Sequence, residues 1–297
     1  MARTNRREQR MRLGPPLLIA LPAALAGCAI PGPDVPRERE AEIRSFVYSA
    51  RLPIEEGLER SQIAAFRSAA NGDEPLVVYV HGTPGDASNF ASFLVDPVEG
   101  TQSVSIDRPG FGMSRPRRAV SSLAAQAAAI APLLEARDGV KPILVGHSYG
   151  GPVIAQVAAD YPGLVGGVVL LAASLDPGLE RILLIQRVGA LPIVDMLLPR
   201  WLRNTNRELM PLEGELELLE PRLAEIGVPI TIIHGTEDSL VPYANVDFMV
   251  EHFGPRARVV TLDGGNHFIP WNSEDVIRRE IAAMAAGLAT PAVEIAD

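Results

Sequence analysis

The sequence predicts an α/β fold: a mostly parallel central sheet flanked by helices, with a helical cap inserted within it. Three observations carry this. From residue 74, short and nearly continuous apolar runs alternate with longer helical stretches, the pattern of strands buried on both faces and joined by crossover helices. One stretch of over fifty residues, between Leu171 and Ile230, breaks the alternation. A serine set between glycines, in Gly146-His147-Ser148-Tyr149-Gly150, closes one apolar run where a helix would begin.

The elements follow in order. Residues 1–12 carry Arg3, Arg6, Arg7, Arg10 and Arg12 against Glu8 alone, and residues 13–26 are apolar but interrupted by Pro15, Pro16 and Pro22. A basic start before a short apolar run reads as a signal peptide over residues 1–27. The run ends in Leu25-Ala26-Gly27-Cys28, which resembles the lipobox of bacterial lipoproteins. That resemblance implies cleavage before Cys28, lipidation of its thiol by an acyl chain such as palmitate, and attachment to the bacterial cell envelope. Ala29, where an aspartate would retain a proteobacterial lipoprotein at the inner membrane, implies the outer membrane in such a source. Residues 28–44 include Pro31, Pro33 and Pro36 with alternating charge, and read as an extended tether.

The globular domain is expected over residues 45–290. Within it, strands are predicted at 76–80, 102–106, 142–145, 165–171, 230–233 and 257–262. Helices are predicted at 87–93, 121–136, 151–161, 243–252 and 274–287. The stretch after residue 171 far exceeds the dozen or so residues that a crossover needs. Its helical segments, cut by Pro192, Pro199, Pro211 and Pro221, are expected to form a cap over residues 175–228. The apolar inner face of that cap, with Ile185, Val188, Leu191, Leu197 and Trp201 as candidates, is expected to line a substrate pocket.

A serine hydroxyl is a poor nucleophile until a base takes its proton. The glycines around Ser148 allow a turn sharp enough to hold it at the exposed C-terminal edge of the sheet. Of the five histidines, His147 sits inside that turn and cannot fold back onto its neighbour. His81 and His234 precede glycines at strand ends, and His252 falls at a polar helix end. His267, in the loop directly after the last predicted strand, is left as the base. A carboxylate must orient it. Asp238 lies just past the strand ending at residue 233, with Glu237 as its rival; a tight turn there would place Asp238 inward and Glu237 toward solvent.

The order Ser148, Asp238, His267 resembles that of the α/β-hydrolase superfamily. So do His81-Gly82-Thr83-Pro84 and Asp107-Arg108-Pro109-Gly110-Phe111-Gly112-Met113-Ser114, and the likeness extends over roughly residues 45–290. It implies the α/β-hydrolase fold and an oxyanion hole built from the backbone N–H groups of Thr83 and Tyr149. It implies that the 107–114 turn shapes the floor of the site without acting in catalysis. The activity implied is that of a serine hydrolase rather than of the family's aspartate-nucleophile branches: Ser148 points to acyl transfer, on a small-molecule ester or related acyl substrate. Phe268, beside the base, joins Leu197 and Trp201 as a pocket candidate. Amide or peptide hydrolysis, perhydrolysis, and a non-catalytic envelope binding protein are the alternatives.

The formal net charge is −9, and loss of residues 1–27, with five arginines and one glutamate, would move it to −13. An acidic chain argues against nucleic acid as a partner. It also argues against direct attraction to an anionic membrane, leaving the lipid at Cys28 as the membrane attachment. No metal-ligand cluster or phosphate loop stands in the sequence, so neither metal nor cofactor is expected.

Overall fold

The computed structural model describes residues 39, 42–54, 57–69, 72 and 74–289. Cys28, the predicted signal peptide and most of the tether lie outside the described residues.

Among the described residues, eight strands form one sheet. They are β1 (Arg44–Ile54), β2 (Gly57–Arg67), β3 (Leu76–Val80), β4 (Gln102–Ile106), β5 (Ile143–His147), β6 (Gly167–Leu171), β7 (Ile230–Gly235) and β8 (Ala257–Leu262). The order across the sheet is β1-β2-β4-β3-β5-β6-β7-β8. From β4 to β8 all neighbours are parallel. The first two strands pair antiparallel, with Ala50 opposite Ser61, and β2 adds antiparallel to β4. The sequence reading found β3 to β8 and passed over β1 and β2. Their outer position explains the miss: β1 buries Ala50 and Leu52 and leaves most other residues wet, so it offers alternation rather than a continuous apolar run.

Helix α1 (Ala91–Val95) follows β3, α2 (Leu123–Ile130) follows β4, and α3 (Gly150–Asp160) follows β5. Four cap helices follow β6: α4 (Leu184–Gly189), α5 (Pro192–Leu197), α6 (Arg200–Leu209) and α7 (Leu212–Leu223). Then α8 (Ala244–Phe253) follows β7, and α9 (Ile269–Asn272) and α10 (Glu274–Ala289) follow β8.

The two-residue period of the strands divides the core into two layers. Val78, Val80, Leu144, Leu170 and Ile232 face one way, into a layer closed by α2, α3, α7 and α8. Val77, Tyr79, Val145, Val169 and Leu171 face the other, against Phe90, Phe93 and the Ile277, Ile281, Ala285 stripe of α10. Parallel strands buried on both faces leave only their ends open, and the loops at the C-terminal ends carry the candidate chemistry.

The prolines organise the cap. Pro192 begins α5, and Pro199 and Pro211 sit at the N-caps of α6 and α7, positions where the missing N–H is not needed. Pro221 was expected to cut a helix and instead lies inside α7, near its end. The cap attaches through α7, whose Leu212, Leu216, Leu219 and Leu223 are buried.

Its inner face differs from the expectation. Helix α6 buries Asn204, Thr205, Asn206 and Glu208, whereas Ile185, Val188, Leu191, Leu197 and Trp201 are exposed. The reason is what α6 meets. It docks on turns rather than on strands, and turns present carbonyls that need donors. Asn204 Nδ2 donates to the carbonyls of Gly110 (2.7 Å) and Arg117 (2.9 Å). Asn206 Nδ2 donates to the Gln186 carbonyl at 3.0 Å.

Candidate active site

Ser148 follows the last residue of β5 and precedes α3 by one residue. Its φ is +54°, in the left-handed region that non-glycine residues rarely occupy. The ladder holds it there: Ser148 N–H donates to the Leu171 carbonyl at 2.9 Å, and its own carbonyl accepts from Gly151 N–H at 2.9 Å. The flanking glycines are sterically required. A Cβ on Gly146 would stand 2.4 Å from the Gly150 carbonyl oxygen, and one on Gly150 would stand 2.2 Å from that of Val80. Ser148 is half-buried, open to a reactant at the strand ends.

His267 and Asp238 come together across the ends of β8 and β7. His267 Nδ1 is 2.7 Å from Asp238 Oδ2. The other carboxylate oxygen, Oδ1, accepts from the amides of Leu240 (2.9 Å) and Val241 (2.8 Å). Burial alone would push the Asp238 carboxyl up, but the His267 hydrogen bond and charge, with those two amides, hold it below the usual carboxylate range. Its neighbour Glu237 is exposed.

His147, the residue before Ser148, reaches this pair. Its ring lies 4.8 Å from that of His267, and its Nε2 is 2.9 Å from the His267 carbonyl. Burial, reinforced by the charge of His267, pushes the His147 imidazole down to about 3, so near neutral pH Nε2–H is the donor. His81 is also buried and held neutral, first by burial and then by Arg108. Its Nδ1–H donates to the Gly82 carbonyl at 2.7 Å, and its Nε2 accepts from Arg108 N–H at 3.1 Å. His234 Nε2 lies 3.0 Å from the Val241 carbonyl, and His252 Nδ1 lies 2.9 Å from that of Phe248.

The two candidate oxyanion donors flank Ser148. Tyr149 is the N-cap of α3, a position where backbone N–H groups have no intrahelical acceptor. Thr83 sits in the loop after β3. That loop passes so close to Ser148 that a Cβ on Gly82 would lie 2.9 Å from Ser148 Cβ. Among the described residues, neither the Thr83 nor the Tyr149 amide donates to a protein acceptor.

The pocket candidates separate. Phe268 is half-buried, with its ring 6.1 Å from that of His267 and 6.0 Å from Trp271. Leu197 and Trp201 stand out on the cap surface, 74% and 45% exposed.

Arg108 and Glu208 have a larger part than the sequence suggested. The Arg108 side chain is fully buried; Nε donates to the His81 carbonyl (2.9 Å) and Nη2 to the Gly82 carbonyl (3.0 Å). Both terminal nitrogens also grip Glu208, at 2.8 and 3.0 Å. The guanidinium lies over the rings of Phe111 and Tyr149, 5.0 and 4.7 Å from their centroids. One residue therefore ties together the loop after β3, the residue after Ser148 and the cap. A charge buried in the 107–114 turn requires a counterion, but nothing in the sequence says that Glu208 supplies it.

Comparison with known proteins accords with this architecture. The sequence profile of the alpha/beta hydrolase family matches residues 77–279. The chain is 32% identical over 145 residues to the dihydrolipoyllysine-residue acetyltransferase component of the acetoin cleaving system of Cupriavidus necator. That match covers 45% of this chain and 38% of the relative, so the chain spans well under half of that protein's length. It is 25% identical over 243 residues to the pimeloyl-[acyl-carrier protein] methyl ester esterase of Nitrosomonas europaea, covering 69% of this chain and 93% of that one. Among solved structures, the peroxisomal alpha-beta-hydrolase of Saccharomyces cerevisiae superposes with a TM-score of 0.66 at 14% identity, over 84% of this chain and 90% of that one. With a family profile running from β3 into α10 over a sheet of this order, the chain belongs to the alpha/beta hydrolase family.

Proposed function

We propose that this protein is a serine hydrolase that cleaves a carboxylic ester or related acyl compound through an acyl-enzyme. The observation that carries the reading is the 2.7 Å contact of His267 Nδ1 with Asp238, joined through the bond of His147 to the His267 carbonyl to the strand end that holds Ser148 at φ +54°. With Nδ1 committed to the carboxylate, Nε2 of His267 is the nitrogen available to take the Ser148 proton. Ser148 Oγ then bonds to the acyl carbon. The oxygen that gains the electron pair is met by the free amides of Thr83 and Tyr149. Collapse of this tetrahedral species expels the leaving group, which takes the proton from His267. Water, deprotonated by the same nitrogen, attacks the acyl-enzyme and releases the acid and Ser148.

The test is turnover of p-nitrophenyl esters from acetate to palmitate, beside Ser148→Ala. Loss of roughly 10⁴-fold or more in kcat is expected; undiminished turnover by the variant sinks the assignment. Labelling of Ser148 by a fluorophosphonate without ester turnover would redirect the reading to an amide or peptide. A protein neither labelled nor active would be a binding protein.

We also propose that residues 1–27 are removed as a signal peptide and that Cys28 carries the lipid of an envelope lipoprotein. Support comes from the Leu25-Ala26-Gly27-Cys28 sequence behind a basic and apolar leader. Metabolic labelling with an alkynyl palmitate should mark the protein and not Cys28→Ala; equal labelling of both removes the proposal.

A further inference from the structure

We infer that the outer face of the cap is a docking surface for an anionic lipid bilayer, and that this contact is independent of any lipid at Cys28. The surface is made by α4, α5 and the start of α6, and α4 packs against both of the others. Leu184 and Val188 stand one turn apart on α4, and Ile193, Met196 and Leu197 share one side of α5 at the i, i+3, i+4 spacing. With Trp201 of α6, all are exposed, Leu184 at 78% and Met196 at 69%. A monomeric soluble protein rarely leaves so many large apolar side chains in one exposed group. The helices have no need of them for attachment, since the cap is bolted down by the leucines of α7 and the polar inner side of α6.

Charge chooses the occupant. The chain as a whole is acidic, but residues 181–207 hold Arg181, Arg187, Arg200, Arg203 and Arg207 against Asp195 alone. Arg181 and Arg187 are exposed beside the apolar group, while Arg207 holds Asp195 through two hydrogen bonds, at 2.9 and 2.6 Å. Of the acids nearby, Asp195 is paired with Arg207 and Glu208 is buried against Arg108, Glu180 is bound to Ser174, and Glu213, Glu215, Glu217 and Glu220 lie on α7, which packs against α3. The unpaired exposed charge around the apolar face is thus basic. Short helices with large apolar side chains and an arginine rim are suited to lie in the interface of an anionic membrane, with the apolar residues among the acyl chains. Among the described residues no helix is long and apolar enough to cross a membrane, so the contact is peripheral. A second copy of this chain would bring the same arginines face to face and is disfavoured.

The protein contains its own reporter. Of two tryptophans, Trp201 is on this face and Trp271 packs by His147, so Trp271→Phe leaves a probe of the cap alone. The full-length Trp271→Phe chain, also carrying Cys28→Ser to exclude a lipid and Ser148→Ala to exclude turnover, is mixed with vesicles of phosphatidylglycerol or phosphatidylcholine bearing brominated chains. Expected are a blue shift and loss of about half or more of the Trp201 emission on phosphatidylglycerol, with far weaker binding to phosphatidylcholine. Adding Arg187→Gln should lower the partition coefficient about fivefold, and Leu184→Glu with Leu197→Glu at least tenfold; all three positions are exposed, so folding is retained. Absence of quenching on either lipid overturns the inference, as does equal binding to both. Undiminished vesicle binding by the glutamate variant would place the contact elsewhere on the chain. Concentration-dependent dimerisation that the same variant abolishes, without quenching, would assign the face to a second copy instead.

Discussion

Arg108 and Glu208 meet through two hydrogen bonds with neither side chain exposed to solvent, and the arginine holds the carbonyls of His81 and Gly82 with its remaining donors. Removing one partner of such a pair leaves the other charged and dry. Glu208→Ala should therefore destabilise the fold by about 3–5 kcal/mol, read by urea denaturation. It should also lower kcat more than it raises KM, because the loop bearing Thr83 loses its clamp. A variant that loses stability with kcat intact would show the pair to be only a bolt for the cap.

Gly82 offers a narrower test of the same loop. A methyl group there would sit 2.9 Å from Ser148 Cβ and 3.2 Å from the His147 carbonyl oxygen, so the loop must retreat. Gly82→Ala is expected to lower kcat by roughly 10²-fold, the scale of a misplaced donor, while the unfolding midpoint moves little. Equal kinetics in the variant would remove Thr83 from the oxyanion hole.

The two neighbouring acids should part company. Asp238→Asn leaves the imidazole in the wrong tautomer and should lower kcat by about 10³–10⁴-fold. Glu237→Gln, at an exposed position, should change it less than about threefold. Steady-state kinetics on one p-nitrophenyl ester compares them, and similar losses in both would dissolve the assignment.

The histidine behind the serine gives a pH signature in stability. His147 is pushed down to about 3 in the folded protein, against about 6.5 for an unfolded chain. Between those values the unfolded state binds a proton that the folded state refuses. Its stabilisation is complete above about pH 6.5 and is lost as pH falls toward 3. By pH 5 the loss is about 2 kcal/mol. Urea denaturation at pH 7 and pH 5 should show a correspondingly smaller decline in His147→Gln than in the unaltered protein. Parallel declines would mean that the ring is not kept neutral.

Sequence periodicity made the parallel strands legible, because a strand buried on both faces leaves a continuous apolar run such as Val77-Val78-Tyr79-Val80. The sharp turn at Ser148 was legible because it admits little but glycine beside the serine. The hairpin of β1 and β2 was not, since an edge strand writes a diluted pattern. The cap was legible as an insertion and not as a surface. Its apolar residues could face in or out, and only the carbonyl-bearing turns beneath α6 decide that Asn204 and Glu208 go inward while Leu197 and Trp201 go out. Likewise Arg108 stood in a recognised turn, yet its counterion is a hundred residues away.

The backbone at Ser148 has a consequence for how such a protein can be improved. A left-handed conformation costs a side-chain-bearing residue on the order of 1 kcal/mol that glycine largely escapes. Ser148→Gly should accordingly be at least as durable as the unaltered chain while being unable to form an acyl bond. Selection for thermal endurance alone, with activity unmonitored, would drift toward erasing the proposed nucleophile, and any campaign to harden this protein has to screen for turnover at every round.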